Sequence, residues 1–151
     1  MSLKCCLVVV MLLTLMMSPR CGQSMPSECK GFYAMTAKEQ EVAFKTYPVE
    51  KQFEIYRCGT VQRHPPDMGL AIHIAEGGEK NISFFLQKLS EEKSEAVQMY
   101  IIDVFKLMSW KGHLRGREDV VVQIEQVVSK MTIPFIKETS QQSLESIKKS
   151  L

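Results

Sequence analysis

The chain has 151 residues, 45% hydrophobic and 24% charged, a composition that excludes a disordered or collagen-like sequence and leaves one globular domain as the expectation. Its formal net charge of +2 comes from Lys4 and Arg20, because beyond residue 24 basic and acidic residues balance at 17 each. A balanced charge gives no general attraction to nucleic-acid phosphates, so nucleic acid is not an expected partner.

Residues 1–24 read as a cleaved signal peptide. Lys4 precedes the apolar run Cys5 to Met17, broken only by Thr14, and Ser18-Pro19-Arg20 and small residues follow. The run is shorter than the roughly 20 apolar residues of a spanning helix, so no transmembrane segment is expected in the mature form. Cleavage is expected after Ser24, with export to the periplasm or the extracellular space. The alternative is a lipoprotein anchored through Cys21, although Ser18-Pro19-Arg20 is a poor match to the small residues that should precede a lipid-bearing cysteine.

Of the five cysteines, Cys5 and Cys6 leave with the signal, and Cys29 and Cys58 form the expected pair. In an exported chain such a pair reads as a structural disulfide, and closing a loop of about thirty residues contributes on the order of 3 kcal/mol. Residues 25–35 read as a flexible N-terminal arm and 36–151 as a single helical domain.

The run Thr36-Ala37-Lys38-Glu39 is a capping box that starts a helix. Pro48 ends or kinks it near Tyr47 and opens a second stretch, with Val49, Phe53 and Tyr56 on one face, which Gly59 should stop. Arg63-His64-Pro65-Pro66-Asp67 is a rigid connector, because prolines remove donors and hold preceding residues extended. Asp67 is expected to cap a short helix from Met68 to Glu76 that Gly77-Gly78 ends. Asn81 is expected to cap the next, where Ile82, Phe85, Leu86 and Leu89 recur at i, i+3, i+4, i+7.

The strongest periodicity runs from Ser94 to Lys111. Val97, Tyr100, Ile101, Val104, Phe105 and Met108 make one stripe, and Met99 and Ile102 add apolar surface elsewhere, so this helix should be flanked on more than one side. Gly112 is placed to end it. The next helix, Glu118 to Met131, carries Val120, Ile124, Val127, Val128 and Met131 on its face and acidic residues at its N-terminus. Pro134 starts a last, more polar helix with Ile136, Leu144, Ile147 and Leu151 in line. No segment shows strand alternation, so the fold class is all-α, with about six helices arranged as antiparallel hairpins.

Two of these hairpins, Asn81 to Lys111 and Asp119 to Lys149, overlay at a shift of 38 residues, placing Ile82, Leu86 and Leu89 over Val120, Ile124 and Val127. This spacing resembles the HEAT and armadillo repeats, whose period is about 40 to 47 residues. The resemblance covers about half the chain and is architectural, with no repeat-specific motif. It implies a short solenoid-like or bundle domain serving as a binding scaffold, and assigns no residue a role.

Little in the chain points to catalysis. His64, Asp67 and His73 invite a metal reading, yet the first lies in a proline turn, the second reads as a cap and the third sits beside an apolar face, so no metal site or cofactor is assigned. GxSxG and SxxK patterns are absent, and the pairs Glu91-Glu92 and Glu118-Asp119 read as solvated helix ends. Asn81-Ile82-Ser83 matches the N-glycosylation pattern. The best candidate contact is the basic loop after the longest helix, where Trp110, Lys111, His113, Arg115 and Arg117 gather positive charge around the only tryptophan.

The expected function is therefore an exported, non-catalytic helical scaffold that binds an unidentified protein partner. One alternative is a small carrier of a lipid or other apolar ligand, suggested by ten methionines and the pair Phe84-Phe85, although Met1, Met11, Met16 and Met17 leave with the signal. A metal-dependent enzyme using His64, Asp67 and His73 ranks third.

Overall fold

The computed structural model describes residues 25–151; the expected signal peptide, the expected cleavage site and Cys21 lie outside the described residues. Among those described, eight α-helices and no strands occur, against about six helices expected: α1 (Ser27–Tyr33), α2 (Ala37–Thr46), α3 (Val49–Val61), α4 (Leu70–Glu76), α5 (Glu79–Glu91), α6 (Glu95–Trp110), α7 (Glu118–Lys130) and α8 (Pro134–Lys149). No described helix is long and apolar enough to cross a membrane.

The two additional helices have separate causes. Pro48 divides α2 from α3 outright, since the residue before it, Tyr47, is extended with ψ 146° and cannot continue a helix. Helix α1 lies inside the segment expected to be a flexible arm. Seven residues do not hold a helix alone, and tertiary packing supplies the stability. Cys29 and Phe32 are buried, Phe32 sits against the rings of Tyr33, Phe44 and Tyr47, and Cys29 lies at disulfide-bonding distance from Cys58 of α3, the Cα atoms 6.4 Å apart.

Three local readings are corrected by close approaches between segments. Gly59 does not stop α3, which continues to Val61. A Cβ at Gly59 would run into the Tyr33 hydroxyl and lie 3.2 Å from Cβ of Asp67, so glycine is required there for packing. Asp67 does not cap α4. Its carboxylate accepts from the Gly69 N–H at 3.1 Å, shaping the turn before the helix, whose N-cap is Gly69. Asn81 is not a cap either, because α5 begins at Glu79 after Gly78, whose φ of +61° suits glycine. Instead Asn81 is buried, and its Nδ2 donates to the Ile74 carbonyl at 3.0 Å.

Helix α6 is the centre of the molecule. Ser94 caps it by accepting from the Val97 N–H, and it packs against α3, α4, α5 and α8. Ile101, Ile102, Val104, Phe105 and Met108 are all inaccessible to solvent, as expected of a helix flanked on several sides. The α6–α8 contact is made with small side chains, Ser140 and Ser143, beside Leu144 and Ile147. Asp103 Oδ1 there accepts from Ser143 Oγ at 2.9 Å and Lys106 Nζ at 2.7 Å. Helix α5 also packs on α7, and α7 on α8, while α1 and α2 lie against α3 and α4 respectively.

Glu95 ties the two C-terminal hairpins together. Its carboxylate accepts from the Thr132 N–H (2.8 Å), the Thr132 hydroxyl (2.7 Å) and the Ile133 N–H (2.9 Å), which holds the α7–α8 connection against the start of α6. The Ile133 and Thr132 bonds keep this carboxyl below the ordinary glutamate range.

Candidate functional site

The basic loop is built by the way α6 ends. Gly112 takes a φ of +78°, and the chain closes on the last turn with the His113 N–H donating to the Met108 carbonyl at 3.0 Å and the Gly112 N–H to the Ser109 carbonyl at 2.9 Å. This pair of bonds is the Schellman arrangement, which satisfies carbonyls that a helix end otherwise leaves free. Leu114 is buried and pins the loop to the core, and Gly116, with φ +70°, turns the chain toward α7. The loop is thus a fixed turn joining two helices.

Its five candidate residues are divided by this geometry. Trp110, Lys111 and Arg115 line one hollow of about 500 Å³, together with Ser109, Gly112 and Ser150. Trp110 is 62% exposed, and its indole N–H donates to Ser146 Oγ of α8 at 3.1 Å. Arg115 lies over Gly112 and, among the described residues, makes no ion pair. Lys111 reaches Glu76 of α4 at 4.0 Å, a long surface contact of small energetic weight.

His113 and Arg117 are directed elsewhere. The His113 ring stands against Gly78, at 3.1 Å from where a Cβ on that glycine would lie. Arg117 makes a fork to Asp119, with Nε and Nη2 each 2.8 Å from a carboxylate oxygen, and those bonds hold Asp119 below the usual aspartate range. One neighbour of Trp110 comes from outside the loop. Lys106 Nζ lies 5.7 Å from the Trp110 ring centroid, in cation–π range, and the i, i+4 spacing on α6 was the available signal.

The other candidate groups are engaged in packing. His73 Nδ1 lies 3.3 Å from Glu76 Oε2 and its ring centroid 6.3 Å from that of Phe44, while Asp67 serves the Gly69 turn. Among the described residues no three His, Cys, Asp or Glu side chains are placed to hold a metal ion. Phe84 and Phe85 form edge contacts with Phe53 at 5.9 and 5.8 Å, and Phe85 meets Phe105 at 6.5 Å, so Phe85 fills core space while the half-buried Phe84 packs at its edge. Glu91 bonds Gln87 and Lys88, and Glu92 pairs with Arg57. Compared with protein-family models, with curated proteins and with solved structures, the chain matches none.

Proposed function

We propose that this chain is an exported, non-catalytic helical scaffold that binds another protein through Trp110 and Arg115 at the end of α6. The observation that carries the reading is a tryptophan left 62% exposed on the last turn of α6, beside an arginine without an ion-pair partner among the described residues on the turn fixed by the Schellman bonds. Trp and Arg are the side chains that dominate interface energetics, and a pre-set turn loses little entropy on binding. Export is supported by the leader-like residues 1–24 and by the Cys29–Cys58 pair.

Pairing of α5 with α7 and of α6 with α8, alongside α5 with α6 and α7 with α8, supports reading the C-terminal half as two stacked hairpins, in the manner of HEAT-like repeats. Helices α3 and α4, both against α6, would form a further layer. The carrier alternative loses Phe85 to the core, and Phe84 packs against the core's edge.

A photo-crosslinking amino acid placed at position 110 or 115, with position 138 on α8 as control, tests the reading in the exporting host. One discrete adduct from 110 and 115 but not from 138 is the expected result. No adduct, or the same adducts from all three, rejects it. Native mass spectrometry of the purified protein adds an independent arm, since stoichiometric bound lipid or metal would favour the carrier or the metalloenzyme.

A further inference from the structure

A second hollow, separate from the Trp110 loop, runs between α5 and α7 and is closed at one end by the start of α6; its volume is about 350 Å³. Leu86, Leu89, Val127 and Met131 form an apolar floor. The walls are polar, and their groups are of two kinds.

Amides make up the first kind. Gln98 Nε2 donates to the Leu89 and Glu92 carbonyls at 3.4 and 2.8 Å, which fixes the side chain and leaves its Oε1 as an acceptor. The side-chain amide of Gln126, on the opposite wall, makes no hydrogen bond among the described residues. A donor and acceptor pair on one wall and an oriented acceptor on the other match the alternating N–H and C=O groups of an extended main chain.

Cations are the second kind. Lys93 and Lys130 line the hollow, and the carboxylates nearest them in sequence, among them Glu95, which also lines it, are committed to other groups. Glu95 holds Thr132 and Ile133, Glu91 holds Gln87 and Lys88, Glu92 pairs with Arg57, and Glu125 pairs with Lys148. Neither lysine has an ion-pair partner among the described residues. Lys130 also stands in the last turn of α7, where it answers the helix dipole, but that role requires neither an apolar floor nor free amides beside it.

We propose that this groove binds an extended peptide segment bearing carboxylate side chains, with Gln98 and Gln126 bonding its main chain, Lys93 and Lys130 its carboxylates, and an apolar side chain resting on Leu86 and Val127. It stands apart from the Trp110 contact and holds whether or not that contact exists.

The test is a titration of the purified, disulfide-bonded, isotope-labelled protein with a short capped peptide of aspartate, leucine and glycine, followed by amide chemical shifts. A second peptide carries asparagine in place of each aspartate. Saturable shifts confined to residues 86–98 and 123–131 are expected. Binding should be roughly tenfold weaker for the asparagine peptide and for the Lys93→Gln/Lys130→Gln variant, and weaker in high salt. Equal binding of both peptides overturns the proposal, as do shifts confined to residues 109–117 or no shifts at millimolar peptide. Groove shifts that grow with protein concentration in the absence of peptide also overturn it, because a second copy then occupies the site.

Discussion

Truncating Ile101 to alanine should destabilise the protein by about 3–4 kcal/mol. The substitution removes three carbons from a side chain with no solvent exposure, worth about 2.4 kcal/mol at about 0.8 kcal/mol for each buried group. Helix α6 is gripped by α3, α4, α5 and α8, which cannot all close in on the space left, so a cavity term on the order of 1 kcal/mol adds to the transfer loss. Urea denaturation of the disulfide-bonded protein reads the difference. With an unchanged slope near 2 kcal/mol per molar, the midpoint should fall by roughly 1.5–2 M. Val122→Ala, at a side chain 50% exposed on α7, serves as the comparison and should cost less than about 0.5 kcal/mol. An Ile101 variant within 1 kcal/mol of the parent would refute the central placing of α6.

Replacing Cys29 and Cys58 together by serine should lower stability by about 3 kcal/mol and release α1, and non-reducing peptide mapping of the parent should find these two residues joined. Acid should weaken the tie between the hairpins, because a carboxyl held below its ordinary value stabilises the fold fully above the unfolded pKa of about 4.3 and less as pH falls through the folded value. Glu95→Gln should therefore be less stable than the parent at neutral pH and show a flatter loss of stability below pH about 4.3, measured by melts across pH. Asn81 should carry no glycan in the folded chain passed through a eukaryotic secretory route, since its Nδ2 is buried on the Ile74 carbonyl, and Asn81→Ala should cost about 1–3 kcal/mol. Intact mass and a denaturant melt check the two statements.

Long helices are legible in this sequence because their apolar residues repeat over several turns: α6, α7 and α8 follow from stripes such as Val97, Ile101, Val104 and Met108. The Thr36 capping box is equally legible, being a local exchange of bonds between Thr36 and Glu39. Helix α1 is not, because Cys29, Phe32 and Tyr33 span barely one turn and gain their helix from α3. Gly59 and Asn81 mislead for a related reason. Glycine reads as a stop and asparagine as a cap, while what decides their roles is the Tyr33 hydroxyl above one and the Ile74 carbonyl beside the other, 26 and 7 residues away in sequence.

The candidate loop is legible as a charge cluster but not as a site. Its spacing shows five residues in one short segment, whereas the positive φ of Gly112 and the Asp119 fork decide that Trp110, Lys111 and Arg115 share a hollow and that His113 and Arg117 do not. The bond from Trp110 to Ser146 joins positions 36 residues apart and depends on α6 lying against α8.

The most direct test of the proposed scaffold is the affinity of the protein crosslinked at positions 110 and 115, measured against the parent and against Trp110→Ala/Arg115→Ala, with a denaturant melt of each. The account predicts binding weakened by about tenfold or more, as the loss of central Trp and Arg anchors commonly costs above 1 kcal/mol each, with a melting midpoint close to the parent's. Unchanged affinity in a folded double variant would contradict it.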